Sequence, residues 1–364
     1  MNEPLLSICI PTYNRAVFLK RLCESIFTQT DENVLGKLEV CISDNASTDS
    51  TGVIVKEFSS RYPGNITYKI NDKNYGAVYN LFQVLKTAKG EYLLCIGDDD
   101  IFIDGAISYL TKLIEKIKND EEIKLILTKF DSRQGNKIVF RGFDSLQSDK
   151  IYFNKQIEDF FIKDKFWCNG FAGAQAFHRD LIKDYFNNLT SQDNHNQWPH
   201  LSILLHSLRN LKKIFVTKPI IYQTGDGLFW LRANWILVLF HKIIVLDNAI
   251  TKNEIKIGMA AKICSGILFS NSMLRLIVSA KIEDADKFLM VVKEVSAYRS
   301  SNRHMRLRIN IFKLLLSTIK FIPLKVLEAV YLFYLKVSGI DDFRAKVNIP
   351  TVTLRDKREG MSTS

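Results

Sequence analysis

The sequence predicts an α/β fold in which a mostly parallel sheet is flanked by helices and followed by a helical C-terminal region. Two observations carry this prediction. Short apolar runs alternate with helical patterns between residues 5 and 118, an arrangement typical of βαβ units around a parallel sheet. Beyond about residue 227, strand signals fade and long helical stretches dominate.

The first strand and helix are defined by their apolar spacing. The apolar run 5–10 ends at Pro11-Thr12, which indicates a buried strand. The next segment, 16–27, has apolar residues at the spacing of one helix face: Phe18, Leu19, Leu22 and Ile26.

The same alternation continues along the chain. Strands are predicted at 38–42, 66–70, 92–96, 124–128 and 137–140, and helices at 51–62, 78–88 and from 101 to about 118. Because open α/β sheets bind ligands at the carboxyl ends of their strands, the polar loops after the strands are expected to gather where a nucleotide could lie. These loops are residues 12–15, 44–47, 71–74 and 97–100.

Composition indicates a globular chain with an uneven charge distribution. Of the formal charge of +11, residues 1–220 carry +1 and residues 221–364 carry +10. This asymmetry indicates a polyanionic partner, either nucleic acid or an anionic membrane surface. The chain has no helix-turn-helix, zinc or RNA-binding motif, so no nucleic-acid partner is expected. No signal peptide or transmembrane segment is predicted, and six cysteines without a C-x-x-C pair predict reduced thiols in a cytosolic protein.

The chemistry is concentrated in Gly97-Asp98-Asp99-Asp100, directly after the predicted strand 92–96. Adjacent carboxylates repel and raise one another's pKa. Hard divalent cations such as Mg²⁺ or Mn²⁺ prefer carboxylate oxygens and would offset that repulsion. The triplet therefore predicts a metal-diphosphate site, while a solvated acidic turn stays open as the alternative.

Four motifs, in order, resemble the family 2 glycosyltransferases over roughly residues 5–205. They are residues 7–15, residues 43–51, Asn74-Tyr75-Gly76 with Asn80, and Gly90-Glu91-Tyr92 leading to the Asp triplet. The resemblance implies a GT-A fold, which is Rossmann-like, a nucleotide-sugar donor and a divalent metal. It also implies that Asp44 accepts hydrogen bonds from the base, and it gives the donor-binding set as Pro11, Thr12, Tyr13, Arg15, Asp44, Asn74, Gly76 and Asp98.

The resemblance leaves two registers for the metal motif. In one, Asp98 and Asp100 form the D-x-D pair; in the other, Gly97 replaces the first Asp and Asp99 is the main ligand. We expect Asp99 or Asp100 to hold the metal, with Asp98 on the nucleotide side, and all three are metal candidates.

An inverting enzyme also needs a general base for the acceptor hydroxyl. The family usually supplies it from an acidic pair, but the matching region, residues 191–200, holds one carboxylate. Asp193 is the candidate base, with His195 and His200 as rivals because histidine titrates near neutrality. The expected acceptor-side residues are Gly170, Gly173, Trp198 and His200.

The predicted organisation is a catalytic domain at 1–226, a helical region at 227–350 and a polar tail at 351–364. Apolar helices with basic edges favour a peripheral contact with the cytoplasmic face of the inner membrane, although packing on the catalytic domain is an equal alternative. Within the family, the chain is most similar to enzymes of the abequosyltransferase type. This resemblance implies sugar transfer to a lipid-linked or other oligosaccharide acceptor in O-antigen or other surface-polysaccharide synthesis. The alternative is a non-catalytic nucleotide- or glycan-binding module of the same fold.

Overall fold

The structure is a computed structural model that describes residues 3–134, 137–153, 156, 171–189, 198–224, 232–252, 255–256, 260, 263–264, 277, 281, 285–300, 302–323 and 325–326. The described residues fall into two compact units. The first comprises those within 1–227, 241–266 and 300–307, and the second those within 228–240, 267–299 and 308–364. The predicted domain boundary after residue 226 stays a prediction.

Strands and helices alternate through the first part of the chain, as the apolar spacing predicts. The elements are β1 (Leu6–Thr12), α1 (Ala16–Phe27), α2 (Glu32–Leu35), β2 (Leu38–Asp44), α3 (Thr51–Arg61), β3 (Ile66–Ile70), α4 (Ala77–Thr87) and β4 (Tyr92–Cys95).

The later elements include strands that the apolar pattern does not predict. They are β5 (Ile101–Phe102), α5 (Ala106–Ile117), β6 (Ile123–Gln134), β7 (Lys137–Arg141), β8 (Lys150–Phe153), a 3₁₀ turn at Ala172–Ala174, β9 (Gln175–His178), α6 (Arg179–Asn187), α7 (Pro199–Leu208), β10 (Lys213–Gln223), α8 (Arg232–Thr251), α9 (Ala285–Ala297) and α10 (Arg303–Phe321). Of these, β5, β8, β9 and β10 have no sequence prediction, because they are short or interrupted by polar residues.

The described strands form one ten-stranded sheet. Its main order is β3-β2-β1-β4-β9-β6-β10-β5, with β7 beside β6 and β8 beside β10. The first four strands of this order are parallel, whereas β9 is antiparallel to both β4 and β6. The predicted α/β class is confirmed.

Strands β1, β2 and β4 are buried on both faces, which is why apolar residues dominate them in the sequence. Strand β3, at the end of the strand order, is partly exposed. Helix α4 packs against β1 and β2, while α1 buries Leu19, Leu22 and Ile26 against its neighbours. In register, Thr12 at the end of β1 pairs with Asp44 at the end of β2. The sheet therefore brings the loops after β1, β2, β3 and β4 to one edge.

The second unit has its own apolar contacts. The rings of Phe240 and Phe312 stack with centroids 6.1 Å apart. The Lys281 ammonium donates to the carbonyl oxygens of Ile319 and Lys320 at the end of α10, where helix carbonyls run out of intrahelical donors. Among the described residues, no helix is both long enough and apolar enough to cross a membrane.

Candidate active site

The acidic triplet lies directly after β4, against the loop that follows β1. Asp98 and Asp100 are each 5% exposed. The Thr12 hydroxyl donates to Oδ2 of Asp98 at 2.8 Å. Arg15 places Nε 2.9 Å from Oδ1 of Asp98 and donates from Nη2 to Oδ2 of Asp99 at 2.8 Å. One guanidinium thus contacts two adjacent carboxylates.

Glycine at position 97 leaves room for these carboxylates. A Cβ at Gly97 would lie 2.9 Å from Oδ1 of Asp99 and 3.1 Å from Oδ2 of Asp100. Both distances are shorter than an ordinary van der Waals contact. Gly97, which stands in place of the first Asp in one register of the metal motif, is therefore needed for steric reasons. Any side chain there would collide with the carboxylates of Asp99 and Asp100.

Burial makes the charged forms of Asp98 and Asp100 costly. Desolvation raises the pKa of Asp98 to about 6, although the Arg15 charge and the Thr12 hydrogen bond oppose this shift. Desolvation, with the adjacent Asp99 charge, raises the pKa of Asp100 well above its usual range. A cation near these groups would favour their ionised form.

The donor set fits a metal ion that is shared with a substrate. Within the described ranges, no three His, Cys, Asp or Glu side chains converge to hold a metal by themselves. Mg²⁺ commonly takes one or two carboxylates and completes its shell with water and substrate phosphates. The Asp99 side chain is 18% exposed against 6% for Asp98, so Asp99 is the more accessible of these two carboxylates.

Asp44 is fixed at the end of β2, and 2% of it is exposed. Its Oδ1 accepts from the Ser47 N–H at 2.9 Å, and its Oδ2 accepts from the Tyr68 hydroxyl at 2.7 Å. Burial, together with this second hydrogen bond, raises the pKa of Tyr68. Because a carboxylate has about four lone-pair positions, Asp44 can accept further hydrogen bonds. Its role towards a nucleobase stays a prediction.

The loops after β1 and β2 are joined by hydrogen bonds that the sequence does not reveal. The N–H of Asn14 donates to the Ser47 hydroxyl at 2.8 Å, and the N–H of Thr48 donates to Oδ1 of Asn14 at 2.7 Å. Asn14 has φ 52°, a left-handed conformation in which asparagine is enriched. The N–H of Ala16 donates to Asp49 at 3.0 Å. These bonds hold the two loops together as one surface.

Two further predicted donor residues, Asn74 and Gly76, are tied to the β2 loop through Asn45. The Asn45 amide donates to Oδ1 of Asn74 at 2.6 Å and to the carbonyl of Gly76 at 3.2 Å. Its Oδ1 accepts from Nδ2 of Asn71 at 3.0 Å. Gly76 has φ 87°, which favours glycine. Asn45 and Asn71 belong to the predicted loops 44–47 and 71–74, but the sequence does not single them out as site residues.

The remaining donor-side predictions lie on the same strand-end loop. Pro11 is half-buried within β1. The Tyr13 side chain follows the strand and is 41% exposed. The sheet edge that carries Asp44 therefore also carries an apolar, an aromatic and two polar side chains, those of Pro11, Tyr13, Thr12 and Arg15.

The acceptor-side predictions are only partly described. A Cβ at Gly173 would lie 2.9 Å from the Phe171 ring and 3.0 Å from Ile221, so protein side chains already fill that space. The rings of Trp198 and His200 meet edge to face at 5.6 Å. Gly170, Asp193 and His195 lie outside the described residues. The catalytic and acceptor roles of all these residues stay predictions.

An α/β sheet that gathers an acidic triplet and polar loops at the ends of its parallel strands is typical of GT-A-fold glycosyltransferases. Residues 7–186 match the family described as Glycosyl transferase family 2. The chain belongs to this family.

Three comparisons show what the chain is similar to. Abequosyltransferase RfbV of Salmonella typhimurium is 36% identical over 111 residues, which cover 30% of this chain and only 33% of that protein. The crystal structure of S. aureus TarS 1–349 in complex with UDP has a TM-score of 0.53 at 16% identity and covers 87% of this chain and 90% of its own. Mannosyltransferase PcManGT from Pyrobaculum calidifontis, in complex with GDP-Man and Mn²⁺, has a TM-score of 0.52 at 14% identity and covers 88% of each chain.

Proposed function

We propose that this glycosyltransferase is inverting and metal-dependent and transfers a hexose or deoxyhexose from a nucleotide sugar to an oligosaccharide acceptor. The observation that carries the proposal is the Asp98–Asp100 triplet, held by Thr12 and Arg15 at the sheet edge that also presents Asp44. Departure of a nucleoside diphosphate develops negative charge, and a cation held by these carboxylates would offset it.

Each part of the edge has a proposed task. A divalent cation held by Asp99, with Asp98 and Asp100 beside it, would stabilise the leaving diphosphate as a Lewis acid. The Arg15 guanidinium lies within 3 Å of two of these carboxylates and can also donate to phosphate oxygens. Asp193, His195 or His200 would take the proton from the acceptor hydroxyl.

The acceptor class is proposed from the relatives. One relative is named an abequosyltransferase, which supports a role in O-antigen or other surface-polysaccharide synthesis. We propose a lipid-linked oligosaccharide as the acceptor, because the C-terminal part of the chain carries nearly all the excess positive charge and an acceptor diphosphate would suit a basic surface.

Thermal shift tests the donor site directly. UDP, GDP, CDP and dTDP, each with Mn²⁺ or with EDTA, are screened against the intact chain. One diphosphate is expected to raise the Tm with Mn²⁺ and to lose most of that effect in EDTA, since ligands stabilise the state that binds them. For the corresponding donor, NMR of the product is expected to show an inverted anomeric configuration. Absence of any shift with folded protein would contradict the proposal and favour the non-catalytic module.

We also propose that the C-terminal helices contact an anionic membrane at its cytoplasmic face. On α10, Ile311, Leu314 and Phe321 are 48%, 68% and 78% exposed, and their spacing places them on one helix face. Lys320 is exposed, and its ammonium lies 5.4 Å from the centre of the Phe321 ring. An apolar face with basic neighbours suits an interfacial helix.

Vesicle flotation tests this contact. The chain is expected to float with phosphatidylglycerol–phosphatidylcholine vesicles but not with phosphatidylcholine alone, and Leu314→Ser with Phe321→Ser is expected to abolish flotation. The control is Val53→Ser, which removes an apolar side chain that is 67% exposed on α3. Equal flotation of both variants and the wild type would contradict the proposal.

A further inference from the structure

A single buried side chain joins the ends of three strands that carry the donor loops. Asn80, in the first turn of α4, is 2% exposed. Its Nδ2 donates to the carbonyl of Thr12 at 3.1 Å and to the carbonyl of Ser43 at 2.8 Å. Its Oδ1 accepts from the Ser43 hydroxyl at 2.7 Å and from Nδ2 of Asn71 at 3.1 Å. Thr12 ends β1, Ser43 lies near the end of β2, and Asn71 follows β3.

The chemistry of these partners fixes the orientation of the amide. Both groups near Nδ2 are carbonyl oxygens, which can only accept, so a flipped amide would set oxygen against oxygen. All four hydrogen-bonding positions of the Asn80 amide are therefore in use. A buried amide with every position satisfied has one stable placement, since each lost partner leaves a polar group without compensation.

From Asn80, one more hydrogen bond leads to the acidic triplet. The Thr12 residue whose carbonyl accepts from Asn80 donates its hydroxyl to Asp98 at 2.8 Å. The carbonyl of Thr12 also accepts from the Asn45 N–H at 3.0 Å, and Asn45 ties down Asn74 and Gly76. Asn80 of α4 thus holds the backbone of Thr12. The side chain of Thr12 in turn orients the Asp98 carboxylate.

We propose that Asn80 is a positioning residue for the donor site, which sets the loops after β1, β2 and β3 and, through Thr12, the direction of the Asp98 carboxylate. The inference rests on the proposed donor site. It assigns no contact between Asn80 and substrate, because the amide is buried and fully used within the protein.

The chain offers a matched control at the opposite ends of the same strands. Glu39 is 7% exposed, and it accepts from the Ser7 hydroxyl at 2.6 Å, the Lys89 N–H at 2.8 Å and the Thr67 hydroxyl at 3.2 Å. It therefore links β1, β2, β3 and the approach to β4, far along each strand from the donor loops. A purely structural role would make the two positions equivalent.

The first test compares Asn80→Asp with Glu39→Gln. Both are near-isosteric, but the aspartate would set an oxygen against the carbonyls of Thr12 and Ser43. We expect both variants to lower the Tm. Only Asn80→Asp is expected to weaken, by about tenfold, the affinity for the nucleoside diphosphate that binds the wild type with Mn²⁺. The affinity for Mn²⁺ alone, measured by electron paramagnetic resonance, should fall by a similar factor in this variant only. Equal affinities in the two variants would overturn the proposal.

A milder pair keeps the test decisive if Asn80→Asp does not fold. Ser43→Ala removes the hydroxyl that donates to Asn80, and Ser7→Ala removes the hydroxyl that donates to Glu39; both serines are buried. We expect affinity to fall about threefold in Ser43→Ala only. Identical affinities in these two variants would contradict the positioning role.

Hydrogen exchange separates this inference from the proposed function. In the ligand-free chain, Ser43→Ala is expected to speed exchange at the N–H groups of Asn45 and Asn71, which donate to the carbonyls of Thr12 and Asp44. Exchange at Leu6 and Val40, at the other ends of the strands, should be unchanged. If no diphosphate binds even the wild type, the proposed function fails, and this exchange pattern still decides whether Asn80 holds the loops.

Discussion

Replacing Asp99 with Asn is expected to lower turnover by about two to three orders of magnitude, the range typical of losing one electrostatic stabiliser of a developing charge. Asp99 is the more accessible of the two carboxylates that Arg15 holds, so it is the expected metal ligand. An amide keeps its size but supplies no negative charge to a hard cation. The metal-dependent rise in Tm with a nucleoside diphosphate should disappear as well.

The same substitution is not expected to destabilise the chain. The charge of Asp99 raises the pKa of both Asp98 and Asp100, which means that it opposes their ionisation. Removing it relieves this repulsion, whereas the ion pair that it loses with Arg15 is partly solvent-exposed and worth little. We expect the Tm of Asp99→Asn without ligand to equal or exceed that of the wild type.

Asp104→Asn is the control for this prediction. Asp104 is an exposed carboxylate shortly after the triplet, and its loss changes the net charge by the same amount. Turnover is measured as release of nucleoside diphosphate, and Tm by calorimetry. If Asp99→Asn retains the rate of Asp104→Asn, Asp99 is not the metal ligand, and the register with Asp98 and Asp100 becomes the one to test.

The first half of the sheet could be predicted because its information is local. In α1, Leu19, Leu22 and Ile26 recur at helical spacing, and each is fully buried. Phe18 shares that spacing but lies under Arg15, whose guanidinium carbon is 4.8 Å from the ring centre. Cation–π contact requires a partner that helical periodicity does not reveal.

The second half could not be predicted because its strands depend on distant partners. Strand β9 has four residues, begins with Gln175 and is inserted antiparallel between β4 and β6. Gln175 is fully buried, a fate that its polarity does not indicate. No local pattern carries this information, since the strand is stabilised by neighbours about 50 and 80 residues earlier in the chain.

The sequence points to those parts of the candidate site in which an unusual group of residues occurs together. It does not reveal the parts that consist of common loop residues. Three adjacent aspartates at a strand end draw attention from the sequence alone, and the structure places them beside Thr12 and Arg15; the cation itself stays a prediction. Asn45 and Asn71 are common loop residues, and their role emerges only when the loops meet. Asn14 and Asp49 likewise act by joining two loops that are separate in the sequence.

Replacing Gly90 with Ala is expected to give a large loss of stability in the family domain. A Cβ at this position would lie 2.6 Å from both the backbone nitrogen and the hydroxyl of Ser7. The N–H of Gly90 also donates to that hydroxyl at 2.8 Å, and the same hydroxyl donates to Glu39. The approach to β4 therefore packs directly against the backbone of β1. Because β1 is a central strand, it cannot move away without disturbing β2 and β4.

We expect Gly90→Ala to lower the free energy of unfolding by about 3 kcal/mol, the upper part of the range for overpacking a close contact. Gly52→Ala is the matched control, since its Cβ would meet only the Tyr68 hydroxyl at 3.6 Å within helix α3. That variant is expected to be neutral or to gain about 0.5–1 kcal/mol from helix propensity. Urea unfolding measures both. A Gly90→Ala midpoint close to that of the wild type would show that β4 can shift relative to β1, and the placement of the Asp triplet at the end of β4 would then be less rigid than the hydrogen bonds indicate.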